Sequence, residues 1–149
     1  MKKSIKIYDI VFPLWVFFLF PLTMPIALGL NFLVDSLVLY IAARFLKLEN
    51  KAFVWRKSIL KIWLLGFLSD IIGALLNLAL FFILIPIFDN FLAFTLISIP
   101  GIILAGYLIY LFGKKFYFSK TNLSDEQIKK LSLTFAIFTA PYLMMIPVW

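Results

Sequence analysis

The stretch RFLKLENKAFVWRKSILK, residues 44–61, holds six basic residues against one acid. On either side the chain turns apolar, and neither 10–43 nor 62–113 contains a lysine or arginine. The rest of the fourteen basic residues fall within 2–6 and 114–130. Positive charge gathered in short connections between long apolar runs is the pattern of a polytopic membrane protein, because cytoplasmic loops retain Lys and Arg while the hydrocarbon core rejects them. The expected fold is therefore all-α, a single transmembrane bundle over residues 1–149, multi-pass in the cell membrane, with a cytoplasmic N-terminus.

Composition leads to the same class independently. Of 149 residues 64% are hydrophobic and 14% charged, against about 25% charged in soluble domains, and the mean hydropathy is +1.08. The net charge of +7 would suggest nucleic acid in a soluble domain. Here the basic residues flank apolar spans, so the lipid bilayer and its anionic headgroups are the expected partner and nucleic acid is not. Cysteine and histidine are absent, which removes disulfides, thiol nucleophiles, imidazole bases and Cys/His metal sites. No cofactor and no enzymatic activity are expected: only carboxylates, amides and hydroxyls remain for chemistry.

The apolar run that ends at residue 46 is too long for one upright helix, since a core of about 30 Å takes roughly 20 residues. Pro13, Pro21 and Pro25 crowd its first half, and proline disfavours helix in the residue before it. We read a Pro-rich hairpin, 10–22 followed by 26–46, which keeps both basic flanks on one side. Met1-Lys2-Lys3 also fits the opening of a signal peptide, but no clean small-residue cleavage site follows. Further along, 62–88 forms a third span ending near Pro86, Asp89-Asn90 a tight reversal, and 91–112 a fourth span. Ser124-Asp-Glu-Gln127 has the spacing of a helix capping box, and 131–149 completes five spans. Trp55 and Trp63, with Arg56 and Lys57, are expected at the lipid interface, as is Trp149 at the other face. Residues 52–55, aromatic between charges, suggest an interfacial helix.

Asp35 and Asp70 interrupt apolar spans, where an aspartate costs about 2.5 to 3.5 kcal/mol on insertion scales and marks a functional candidate. Counted from the basic loop, both lie about 14 to 17 Å deep. An antiparallel hairpin pivoting at the centre of that loop places them opposite each other. Asn31 and Asn77 share the helical faces of the two acids, and Gly73 with Ala74 permits close helix approach on the same stripe. These oxygens and amides suit a proton or hard cation better than a soft metal. Ser36, Ser69 and Ser98 are supporting candidates, together with Pro100 and Gly101, which break the fourth span near its middle as binding-site helices of transporters are broken.

These features favour a small transport protein, channel or cation-coupled carrier subunit in which Asp35, Asp70, Asn31 and Asn77 bind the proton or ion, acting as a homo-oligomer or within a larger membrane complex. The alternative is a non-catalytic accessory or immunity-type membrane protein whose acids serve helix packing. An intramembrane aspartyl protease is disfavoured, because Phe67-Leu68-Ser69 precedes Asp70 where a Gly-x-Gly motif is required.

Overall fold

A computed structural model describes the backbone of residues 23–84 and 91–142, and the side chains of 25–84 and 96–142. The described residues form helices and no strand: α1 (Thr23–Phe45), α2 (Lys51–Leu84), α3 (Phe91–Phe112), a π-helical turn (Gly113–Tyr117) and α4 (Asp125–Phe138). The first three are long and apolar enough to cross a membrane, which is compatible with a membrane protein. The expected span 10–22, the reversal at Asp89-Asn90 and residues 143–149, including Trp149, lie outside the described residues.

α1 begins at Thr23 with Pro25 in its first turn, where a missing N–H removes no helical hydrogen bond. It ends in a Schellman motif: Leu48 N donates to Ala43 O at 3.1 Å and Lys47 N to Arg44 O at 3.2 Å. Buried Leu48 then packs in one cluster with Ala42 and Ala43. Lys47 carries the left-handed conformation at φ 50°, a position usually given to glycine because a Cβ there is strained. Lys47→Gly is accordingly expected to stabilise the fold by about 1 kcal/mol, read as a higher unfolding midpoint by circular dichroism in detergent.

α2 starts at Lys51 rather than near residue 62, so the basic loop contracts to 46–50 and the segment 52–55 is the opening of a continuous helix of 34 residues. No separate interfacial helix exists there. The reason is local: residues 51–65 contain neither glycine nor proline, and their Lys, Ala, Arg and Leu content favours helix. At about 51 Å the helix is longer than a hydrocarbon core of about 30 Å requires.

α2 and α3 run antiparallel, as their contacts show. Lys61 Nζ donates to Phe116 O and Ser119 Oγ, both at 3.1 Å, while Gly73 and Asn77 meet Gly101. α4 runs back along α3, with Ser132 against Gly113 and Ala136 and Ala140 against Gly106. Its capping box is formed: Gln127 N donates to Ser124 Oγ at 3.3 Å and Ser124 N to Gln127 Oε1 at 3.0 Å. Lys130 reaches Glu126 at 2.6 Å and holds its carboxyl below the ordinary range, an exposed pair of small energetic weight.

The helix expected over 131–149 does not continue as one piece, because α4 stops at Phe138, shortly before Pro141. The proline disfavours helix in the residue before it. At 14 residues α4 is too short to cross the core by itself. The described core gathers at the basic end, where Leu39, Ala43 and Leu48 meet Ile62, Ile109, Leu131 and Phe135 around Tyr117 and Phe118.

Candidate functional site

Asp35 points into the bundle and is 3% exposed. With the turn at 46–50, α1 meets α2 nearer its start than a loop of 44–61 implies, and Asp35 therefore does not sit squarely opposite Asp70. A Cβ on Gly66 would lie 4.0 Å from Asp35 Oδ2, and Asp70 is one helical turn further along the same face. Contacts elsewhere between the helices keep no single antiparallel register: Phe32 lies edge-on to both Trp55 and Trp63, eight residues apart. The two acids nonetheless lie within electrostatic range of each other.

Tyr117 enters the same range from the π turn, and both carboxyls bear on its hydroxyl. Its ring is fully buried at 0% exposure, in the layer formed by Leu39 and Ile62, each one turn from Asp35 and Gly66 respectively. Asp35 Oδ2, Asp70 Oδ1 and Tyr117 Oη are buried and take no hydrogen bond from the protein. Native interiors pair nearly all such groups with protein, water or an ion, so each of these oxygens is a place where a small polar partner is expected.

Among the described residues no positive side chain pairs with Asp35 or Asp70. Among the described residues the one ion pair joins Glu126 and Lys130. Lys61 is committed to Phe116 and Ser119 on either side of Tyr117, and Lys57, Lys114 and Lys115 lie over the rings of Phe53, Tyr110 and Phe116. Among the described residues no group of three or more Asp and Glu forms that would hold a metal ion by itself.

The other candidates separate by what they touch. Asn77 Oδ1 accepts the Gly101 N–H at 2.9 Å, so this amide pins α2 to α3 beside Pro100. A proline ring displaces the carbonyl four residues earlier, and neighbouring helices restore the lost pairing. Ser69 is buried and donates to Leu65 O at 2.8 Å on its own helix. Ser98 is buried on α3, which runs as one helix through Pro100, so the break expected at Pro100 and Gly101 is not formed. Asn31 lies half-buried on α1, one turn before Asp35. Ser36 turns away from the acids: its buried Oγ has no protein partner and it lines a groove shared with Trp55 and Arg56. Trp63 Nε1 donates to Leu28 O at 3.0 Å and so links α1 to α2.

Tyr117 escaped sequence reasoning. It lies in GKKFYFSK, where basic and aromatic residues read as a connector, and the π turn that carries it inward has no sequence signal as plain as a proline or glycine. Such turns recur at functional positions. Comparison of the chain with protein-family models, curated proteins and solved structures returned no match.

Proposed function

We propose that the protein is a small multi-pass transport protein of the cell membrane, a channel or carrier subunit in which Asp35 and Asp70 bind or relay a proton or hard cation. The observation that supports this reading is the buried trio of Asp35 Oδ2, Asp70 Oδ1 and Tyr117 Oη, which among the described residues has no hydrogen-bond partner and no ion pair. Carboxyls held this way at membrane depth gain a partner whenever a proton or cation arrives, and such acids line ion pathways and proton relays. Tyr117, on the side of the basic end, supplies a neutral oxygen that can pass a proton toward the cytoplasm. Asn31 and Asn77 flank the acids on the outer side, and the Asn77 clamp ties α2 to α3 at Gly101. The topology in this reading has five spans, the last interrupted after Phe138, with the N-terminus and both basic connections cytoplasmic. So few short helices enclose little volume, which favours a homo-oligomer or a larger membrane complex.

The Asn77–Gly101 clamp also suits a second reading, an accessory membrane module whose polar groups serve packing. Proton flux separates the two. In liposomes containing a pH-sensitive dye and a potassium-driven potential, wild-type protein is expected to acidify or alkalinise the lumen, and Asp35→Asn or Asp70→Asn to return flux to the protein-free level. Equal flux in wild type and both variants would rule out the relay.

A further inference from the structure

A groove of about 690 Å³ opens between α1 and the first turns of α2, away from the two acids. Its walls change character along its length. Leu33, Leu37 and Ala43 of α1 form an apolar side, whereas Lys51 and Arg56 of α2 stand at the basic end with Trp55 beside them. Leu33, Leu37 and Trp55 are exposed, so no protein element among the described residues covers this face.

Three features of the groove match one kind of occupant. From Leu33 to Ala43 α1 rises about 15 Å, half of a core of about 30 Å and so the depth of one leaflet. The cations lie at the basic end of the groove, where a phosphate would sit. Trp55 and Tyr40, also lining it, are side chains of the kind that settle at headgroup level. A cytosolic protein would meet only the basic rim, and free phosphate would leave the apolar length unused.

We propose that this groove binds one anionic phospholipid of the cytoplasmic leaflet, with its phosphate between Lys51 and Arg56 and an acyl chain along α1. The site is independent of the acid pair.

Trp55 reports on it directly. In a variant retaining Trp55 alone (Trp15→Phe, Trp63→Phe, Trp149→Phe), fluorescence is measured in phosphatidylcholine vesicles containing small fractions of brominated phosphatidylglycerol or brominated phosphatidylcholine. The expected result is an apparent affinity about thirtyfold higher for the anionic quencher, the preference two basic residues supply at a membrane surface, and loss of that preference in Lys51→Gln/Arg56→Gln. Equal quenching by the two lipids would overturn the proposal, as would a preference that survives the double substitution or is abolished by millimolar inorganic phosphate. Should the double variant fail to fold by circular dichroism, the salt dependence of the parent decides: a preference that falls with ionic strength supports a phosphate site, and one that does not overturns it.

Discussion

Leucine at Gly73 is expected to leave no correctly folded protein, and alanine there to lower stability by about 2 kcal/mol. A Cβ on Gly73 would come 2.5 Å from Gly101 O and 3.0 Å from Ala105 Cβ. The first of these is backbone of the facing helix and cannot swing aside. Gly101 is equally confined, since a Cβ there would collide with the Asn77 side chain and with Gly73 O. The two glycines thus allow α2 and α3 to touch backbone to backbone, which also brings Asn77 Oδ1 within reach of the Gly101 N–H. Separating the helices removes dispersion contacts and this hydrogen bond together. In membranes, where lipid is as apolar as leucine, close packing of small residues is a principal force between helices. Size-exclusion profiles and thermal unfolding in detergent provide the readout. Gly29→Ala is the contrasting variant: a Cβ there meets nothing within 4 Å, and alanine's higher helix propensity predicts an unchanged or slightly raised midpoint. Equal behaviour of Gly73→Ala and Gly29→Ala would refute the account of the interface.

Much of the helical layout is legible in the residues, because hydropathy and basic clustering respond to the same solvent. The expected segments 26–46 and 91–112 nearly coincide with α1 and α3. Errors arose where charge was taken to mean loop. Lys51, Arg56, Lys57 and Lys61 stand on α2, and the absence of any breaker before Gly66 was the better guide to its start. That error moved the pivot of the α1–α2 hairpin and made the acids look directly opposed. The end of α4 was signalled by Pro141, but the apolar run to Trp149 outweighed it in the reading of a full span. At the site, Asp35 and Asp70 stand out in the residues as acids within apolar helices, whereas the partner of Asn77 does not. Its stripe with Gly73 indicates close approach to some helix, and only the α2–α3 register identifies the donor as Gly101. Tyr117 was least accessible, since its inward position depends on five residues of π-helix and on Leu39, Ile62 and Phe135 brought together from three other helices.

Under the transport proposal, replacing Asp35 is expected to make the protein more stable while removing proton or cation flux. A buried oxygen that receives no hydrogen bond from its surroundings destabilises the fold that contains it, and Asp35 Oδ2 is in that condition beside Gly66. Asp35→Leu removes an insertion penalty of about 2.5 to 3.5 kcal/mol, part of which is returned as strain because leucine is bulkier than aspartate. A net gain of about 1 to 2 kcal/mol in unfolding free energy follows. Proton or cation flux should nevertheless fall by a factor of about 100 or more, the scale on which loss of a positioned proton-transfer group is felt. Asp35→Asn should lose flux similarly with a smaller change in stability, and Tyr117→Phe, which deletes one oxygen from the trio but neither acid, should retain part of the flux. Gain of stability together with loss of function is the signature of a group kept for its chemistry. A packing role predicts the reverse, because an acid that joins helices is missed when it is removed. Thermal unfolding and liposome flux measured on the same Asp35→Leu preparation therefore distinguish the two readings: a lowered midpoint with undiminished flux would assign Asp35 to packing and leave the transport proposal without its central residue.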